Sequence, residues 1–434
     1  MSARGRPFRV GLFGRLGSGN LGNDVSAEVV LDYLRREHPD VILDAMCTGP
    51  ERMRARYGLT ATQLFWQPGY HRRLPRPARL AHLLVDKCID AARIGAWTRR
   101  QDLVIVPGMG VLEATLPIRP WEAPYALFLL GACGRLFRTR VALVSVGASP
   151  VRERATRFLF DWCARLAHYR SFRDAYSRDV MTERGVGGGR DPLYPDLAFG
   201  VPPLPYDPGD PDTVGIGVMD YGGGNDDRDR AAGTRAAYVA SLKEFACWLV
   251  GAGKRVRLFV GDADDEPVAG EILACLRERF PGLGPDAAAA EPVTTFEELS
   301  RAMQGAGVVV CTRFHNVVCA VRLAKPAIAL TYARKAVAVM TGAGLAGFCL
   351  PARDLTAPAV IAMFQRLERE SPPLRERMRE TIEAQRGRLD EQFALLSKEF
   401  LPGKPGKPDE SDKPGKPGKP PRVLSLFMGS GRAG

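Results

Sequence analysis

Apolar residues along this chain alternate between short β-branched runs and longer stretches with helical spacing. The run FRVGLF at residues 8–13 predicts a first strand, and VVVC at 308–311 predicts another late in the chain. Helical spacing of apolar residues recurs over 24–37 and 76–100, and the apolar stretch 121–136 predicts a buried helix. Strands and helices that alternate in this way predict an α/β fold with doubly wound parallel sheets.

Composition shifts divide the chain into segments. Residues 1–200 and 213–355 predict two Rossmann-like domains that face a common cleft, joined by a Pro- and Asp-rich linker at 201–212. Residues 356–400 predict C-terminal helices that return to brace the first half. The Lys-, Pro- and Gly-rich repeats of 401–434 cannot bury a core, and we expect a disordered tail there.

The formal net charge of +12 points to anionic partners. The basic residues are spread along the body with few aromatic residues between them, so small anions are favoured over nucleic acid. Nine cysteines stand singly with no C-x-x-C pair, which is typical of reduced thiols and predicts a cytoplasmic protein. The longest apolar stretch, 123–133, is too short to span a bilayer, so we expect at most peripheral membrane association.

Two glycine turns follow predicted strands. The first, GRLGSGNLGN at residues 14–23, contains Gly19 and Asn20 and leads into a helix whose N-terminus points at the loop. A dinucleotide site needs an acidic residue after the next strand, and Asp44 fits this role poorly. A loop for a sugar or an acceptor phosphate is therefore favoured. Gly110 belongs to the second turn, after the strand DLVIV.

Four charged or titratable side chains are predicted at strand ends, where open α/β sheets bind ligands. Arg313 and His315 follow one strand, Lys335 follows the next, and Arg173 stands before a helix that Asp174 is placed to cap. Arg313 and the helix N-terminus should depress the imidazole pKa, and a bound dianion should raise it again. The alternative for Arg173 is a surface pair with Asp174.

The sequence gives less support to a cysteine nucleophile or a metal site. Cys311 lies beside the predicted site, where a nucleophilic role competes with the favoured role of a small buried hydrophobe. No His, Cys and carboxylate grouping has metal-ligand spacing, and neither a Walker loop nor a nucleophile elbow is present, so we predict no metal.

Six motifs in order resemble the polysaccharide pyruvyl transferase family over about residues 10–350. They are GSGNLGND at 17–24, the glycine turn ending at Gly110, SFRDAYS around Arg173, YPDLAF around Asp196, CTRFHN around His315 and TYARK ending at Lys335. The chain departs from the family pattern in the two glycine motifs, and it has Phe314 and Asn316 where leucine and alanine are usual.

The resemblance implies a fold like the two-domain GT-B glycosyltransferases. It also implies transfer of pyruvate from phosphoenolpyruvate, as donor substrate, to two hydroxyls of a sugar or glycan, giving a cyclic ketal without a cofactor. His315 would be the general acid, with Arg173 and Lys335 holding the donor's phosphate and carboxylate and Arg313 assisting. The first half would be the acceptor side, where Gly19, Asn20 and Gly110 are candidate substrate-binding residues.

Two alternatives remain open at this point. On the same architecture the basic residues could hold the diphosphate of a nucleotide sugar, as in a glycosyltransferase. The protein could also be a non-catalytic sugar-binding protein that keeps the shape. The identity of the acceptor and the oligomeric state are not predicted.

Overall fold

Each half of the chain forms one six-stranded, all-parallel sheet. The computed structural model describes residues 6–66, 76–114, 118–223, 229–291 and 293–403, without the side chains of 76–80 and 263. Both sheets lie within one compact unit, Met1–Pro402. Of the tail predicted over 401–434, all but the first three residues lies outside the described residues.

The first sheet has the strand order β3-β2-β1-β4-β5-β6. Its strands are β1 (Arg9–Gly14), β2 (Ile42–Cys47), β3 (Thr60–Gln63), β4 (Leu103–Pro107), β5 (Arg140–Val146) and β6 (Tyr169–Phe172). Its helices are α1 (Leu21–Glu37), α2 (Pro50–Tyr57), α3 (Arg76–Arg100), α4 (Ala123–Phe137), α5 (Arg154–Leu166) and α6 (Ala175–Glu183). Strand order reverses between β1 and β4, which makes their carboxyl ends the switch point of this sheet.

The second sheet repeats this order, as β12-β11-β10-β7-β8-β9. Its strands are β7 (Asp210–Val218), β8 (Arg255–Val260), β9 (Ala288–Ala290), β10 (Ala306–Cys311), β11 (Ala327–Thr331) and β12 (Cys349–Pro351). Its helices are α7 (Ala231–Gly251), α8 (Glu266–Arg279), α9 (Phe296–Gln304), α10 (Phe314–Arg322) and α11 (Arg334–Gly342). Its switch point lies between β7 and β10. The predicted doubly wound architecture is therefore confirmed in both halves.

The strands that are apolar along their whole length show where the hydrophobic cores of the two halves lie. All six residues of β10 are buried, as are all five of β4, because helices cover both faces of each sheet. The sequence did not predict the short elements α2, β3, β9 and β12. The expected burial of α4 holds along most of the helix, but Leu136 near its end is 73% exposed.

One helix, α12 (Ala357–Phe400), joins the two halves. The Oγ of Ser241 donates to the carbonyl of Leu355 just before this helix, so its beginning lies on the second half. Near its end the carbonyl of Phe393 accepts from Tyr33 Oη at 3.0 Å, and Gln392 Oε1 accepts from Ser145 Oγ at 2.9 Å. The C-terminal residues do return to the first half as expected, but as one helix of 44 residues instead of the several helices predicted over 356–400.

Candidate active site

The carboxyl ends of both sheets face a cavity of about 560 Å³. The first half contributes Asn20, Gly22, Gly110, Glu113 and Arg173 to its wall, and the second half contributes Gly261, Arg313, His315, Asn316 and Lys335. Both switch points thus open on the same space. His315, Arg173 and Lys335, which the sequence predicted at separate strand ends, line one cavity.

A glutamate that sequence reasoning missed joins the two predicted anion-holding residues. Glu113, in the loop after β4, accepts from Arg173 Nη2 at 2.5 Å through Oε1 and from Lys335 Nζ at 2.6 Å through Oε2. Burial alone would raise the pKa of this carboxyl, but Lys335 and Arg173 outweigh it and lower the pKa to about 2. Glu113 is therefore ionised at neutral pH and bridges a cation from each half of the molecule.

Arg173 is held from a second side by Asp196. Its Nη1 donates to Asp196 Oδ2 at 3.0 Å, and its side chain is only 2% exposed. The guanidinium also stacks over the ring of Phe314, with Cζ 4.3 Å from the ring centroid, a cation–π contact that Lys335 shares at 5.2 Å. Arg173 therefore forms a buried network, and the alternative of a surface pair with Asp174 is wrong.

His315 stands in the first turn of α10, which begins after Arg313. The side chain is 15% exposed, with Nε2 3.8 Å from Asp196 Oδ2 and without a hydrogen-bond partner among the described residues. Burial is the main cause that lowers its pKa to about 4; Asp196 opposes the shift, and Arg173 and Lys335 add to it. The predicted direction is confirmed, but the cations responsible are Arg173 and Lys335 instead of Arg313.

Arg313 is occupied by a different carboxylate. Its Nε and Nη2 donate to Asp265 at 2.7 and 2.6 Å, a bidentate pair in which the carboxylate is fully buried. This pair fixes the guanidinium of the residue that precedes α10 on a carboxylate other than Glu113 and Asp196. Cys311, at the end of β10, is completely buried and burial raises the pKa of its thiol, as expected of a small hydrophobe.

The glycine loop before α1 approaches other parts of the chain closely. Gly17, with φ of +68°, packs against Gly49, where a Cβ would stand 2.2 Å from the Gly49 carbonyl oxygen. A Cβ on Gly19 would stand 2.9 Å from Arg52 Nη1. Gly19 is not part of the cavity wall. Gly22, in the first turn of α1, lies against the His315 ring, so the lack of a side chain at this position lets the two halves approach closely.

Asn20 and Gly110, the other predicted substrate-binding residues, do line the cavity. The Asn20 side chain accepts from Asn23 N as the cap of α1, and its Nδ2 donates to Asp262 Oδ2 at 2.9 Å across the cleft. Gly110 lies beside Glu113, where a Cβ would stand 2.5 Å from Oε2. Both positions thus shape the cavity through contacts within the protein.

No grouping of three His, Cys, Asp or Glu side chains among the described residues is arranged to hold a metal ion. Next to the neutral imidazole of His315 the cavity instead presents Arg173 and Lys335, each paired with a carboxylate. Such a set suits an anion that needs both charge neutralisation and a proton.

Solved structures with similar folds place the protein in the GT-B-like class. A putative UDP-N-acetylglucosamine 2-epimerase from Listeria monocytogenes matches with a TM-score of 0.57 and 11% identity, over 91% of this chain and 97% of that chain. HepE from Anabaena, in complex with UDP and glucose, matches with a TM-score of 0.52 and 10% identity, over 90% and 100%. At these identities the likeness shows the fold alone.

The family model for polysaccharide pyruvyl transferase matches residues 20–334. This range covers most of the chain and includes Glu113, Arg173, Asp196 and His315. The chain therefore belongs to the polysaccharide pyruvyl transferase family, and the fold and family predicted from the sequence are confirmed. A comparison with curated proteins found no significant match.

Proposed function

We propose that this transferase moves pyruvate from phosphoenolpyruvate to two hydroxyls of a sugar and forms a cyclic ketal. The observation that supports this most directly is the position of His315. Its imidazole lines the cavity beside Arg173 and Lys335, so a donor held by those cations has a proton source within the same wall. Family membership makes a transferase acting in polysaccharide modification the starting point.

The reaction requires protonation of one carbon of the donor, then one addition and one displacement at the adjacent carbon. His315 in its cationic form protonates the methylene carbon of the donor, and the first sugar hydroxyl adds to the adjacent carbon and returns a proton to the imidazole. The second hydroxyl then displaces phosphate at that carbon, and its proton leaves with the phosphate, giving the ketal and inorganic phosphate. Arg173 and Lys335 hold the donor's anionic groups and stabilise the charge that develops on the leaving oxygen.

The pairing of charges in the ligand-free protein limits how the donor can bind. Both cations are already neutralised by Glu113, and Arg173 also by Asp196. A trianionic donor has to take over at least one of these interactions, and Lys335 has the fewer carboxylate partners of the two. We infer that the donor replaces Glu113 at Lys335 while Asp196 keeps Arg173 in position.

Donor binding should also recharge the imidazole. In the free protein His315 is neutral at pH 7 because its pKa is about 4. A donor that adds negative charge next to the ring stabilises the imidazolium, so the acid forms only in the complex. General acid catalysis is typically worth about 10²- to 10⁴-fold in rate.

The test is release of phosphate from phosphoenolpyruvate in the presence of a panel of glycosides with free hydroxyl pairs. We expect release that depends on both substrates, and loss of it in His315→Ala with an unchanged circular-dichroism spectrum and melting temperature. Retained turnover in His315→Ala would reject the acid role. Tight binding of UDP or GDP by calorimetry, with no response to phosphoenolpyruvate, would favour a nucleotide-sugar glycosyltransferase instead.

The charges of the second half weigh against that alternative. Asp220, Asp262 and Asp264 line the cavity on this side, while Arg313 is already paired with Asp265. A nucleotide diphosphate placed there would face these carboxylates, since the cation that the second half offers beside them, Arg313, is already paired; the exposed Arg15 of the cavity wall belongs to the first half. The pyruvyl transfer proposal is therefore the better fit to the charges.

A further inference from the structure

Three neighbouring helices of the first half expose apolar side chains to solvent. α4 packs between α3 and α5, where Gly95 of α3 lies next to Cys133 and Gly131 of α4 lies next to Leu166. Five of the ten exposed large hydrophobic residues among the described residues belong to these helices. They are Leu84 (60% exposed), Val85 (57%), Leu136 (73%), Phe158 (55%) and Trp162 (40%), and we call the surface that they define the α3–α5 face.

The centre of the α3–α5 face is aromatic. The ring centroids of Phe128 and Phe158 are 6.5 Å apart, and those of Phe158 and Trp162 are 6.1 Å apart. Because α5 is strongly amphipathic, its buried side, with Phe160 and Cys163, already packs on the sheet. The outward aromatic cluster is therefore a second apolar surface that the fold of one chain does not use.

Arginines surround this aromatic cluster. Arg154, Arg157 and Arg165 lie exposed on α5, and Arg135 and Arg138 lie exposed at the end of α4. Exposed Glu122 precedes α4 and exposed Glu153 precedes α5, so the five arginines outnumber the exposed carboxylates around these two helices. On α5 the one acidic side chain, Asp161, is neutralised by Arg184 at 2.5 Å. The rim of the apolar surface is thus cationic.

We propose that the α3–α5 face docks on a lipid bilayer that contains anionic lipids. Aromatic side chains at the level of the headgroups and arginines that contact lipid phosphates are the chemistry such a surface selects. A second copy of the chain fits this face less well, because a two-fold contact would place one arginine rim against the other. No helix among the described residues has the length and apolar character to cross a membrane, so the proposed contact is peripheral.

Docking through this face sets the position of the cleft. The first turns of α4 line the cavity with Ala123, Ala126 and Leu127, while Phe128, next to Leu127, belongs to the aromatic cluster of the face and Leu136 lies on the face in the last turn. The cavity would then open close to the lipid surface, within reach of a glycan acceptor anchored in the membrane. This consequence, unlike the docking itself, rests on the proposed function.

The experiment is flotation of the full-length protein with vesicles of phosphatidylcholine, alone or mixed with phosphatidylglycerol. We expect binding to the mixed vesicles that weakens with salt, and a loss of roughly tenfold or more in the Phe158→Ser/Trp162→Ser variant. Tyr206→Ser is the matched control, since Tyr206 is also exposed and has Arg379 over its ring, on a different surface. The lysine-rich segment 404–434 is present in every variant, so its contribution cancels.

A charge-reversal pair tests the arginine rim separately. Arg154→Glu/Arg157→Glu should lose binding to the mixed vesicles, whereas Arg369→Glu/Arg377→Glu on α12 should keep it. Unchanged flotation of both α5 variants would overturn the proposal. Light scattering that shows a wild-type dimer and a Phe158→Ser/Trp162→Ser monomer would overturn it as well, because the face would then be an interface between copies of this chain.

Discussion

Gly22 of the first half lies directly against the imidazole of His315 of the second half. A Cβ placed on Gly22 would stand 1.8 Å from His315 Nδ1 and 2.1 Å from Cγ, a distance that no relaxation of the ring within its site can accept. Near it, Leu21 N donates to the carbonyl of Gly261 at 3.4 Å, and Asn20 bonds Asp262. The N-terminus of α1 thus closes the cleft against the residue proposed as the acid.

Gly22→Ala should therefore impair catalysis more than folding. The added methyl has to push the imidazole away from the cavity or open the cleft, and misplacement of a catalytic group by about 1 Å can cost roughly 10²-fold in rate. We expect phosphate release from phosphoenolpyruvate to fall by about that factor. The assay is steady-state turnover together with thermal unfolding of the same preparation.

Gly270→Ala is the control for this substitution. Gly270 lies within α8, and a Cβ added there would meet nothing within 4 Å, so alanine should leave turnover unchanged and stabilise the helix by about 0.5–1 kcal/mol. Wild-type turnover in Gly22→Ala would mean that the imidazole need not occupy the position seen against α1.

Glu113 competes with the donor for two cations, so Glu113→Gln should bind phosphoenolpyruvate more tightly. The amide removes the negative charge that Lys335 and Arg173 share, and a charged hydrogen bond is worth about 1.5–3 kcal/mol. The half-saturating concentration of phosphoenolpyruvate should fall by roughly tenfold or more. Initial rates at varied donor concentration measure this.

A second glutamate provides the matched comparison. Glu271 on α8 also accepts from an arginine and a lysine, Arg235 at 2.8 Å and Lys243 at 3.1 Å, but it lies away from the cavity. Glu271→Gln should leave donor saturation unchanged. If Glu113→Gln weakened donor binding or stopped turnover, Glu113 would have to orient the cations in the donor complex instead of competing with the donor.

The fold could be predicted from the sequence because its signals are local. Apolar runs such as β4 and β10, and the spacing of Arg173, His315 and Lys335 after strands, follow from periodicity and from the geometry of parallel sheets. The exposed end of α4 was not predicted, because an apolar composition does not show where a helix leaves its neighbours.

The contacts across the cleft could not be predicted in the same way. Glu113 carries no motif of its own, and its partners are 60 and 222 residues away in the chain. Asp196 was visible within YPDLAF, but its position beside His315 depends on the approach of the two halves. Arg313 was predicted to help hold the donor because the sequence does not show that it pairs with Asp265, which is 48 residues away.

The buried imidazole should make the stability of the protein depend on pH. The folded-state pKa of His315 is about 4, below the ordinary value of 6.5, so between these values the unfolded chain binds a proton that the folded chain does not. Stability should therefore fall as the pH drops from 6.5 to 4, by about 3 kcal/mol from this residue.

His315→Gln isolates this contribution. Urea unfolding at pH 7, 5.5 and 4.5 should give a wild-type free energy of unfolding that falls more steeply than that of the variant. His168, whose pKa is also lowered mainly by burial, is present in both proteins and cancels in the difference. Parallel curves for the two proteins would show that His315 titrates normally in the folded state.

Asn316, next to His315, offers a last test of how the site balances stability against function. The residue is fully buried, and neither its Oδ1 nor its Nδ2 has a hydrogen-bond partner among the described residues. An unpaired buried amide costs about 1–3 kcal/mol, so Asn316→Leu, of similar shape, should raise the free energy of unfolding by about that amount.

Asn20→Leu is the opposite case, since Asn20 caps α1 and bonds Asp262, and it should lower stability by about 0.5–2 kcal/mol. Chemical unfolding of both variants at pH 7 decides between these outcomes. A destabilised Asn316→Leu protein would show that the amide has partners in solution, and water would be the first to consider.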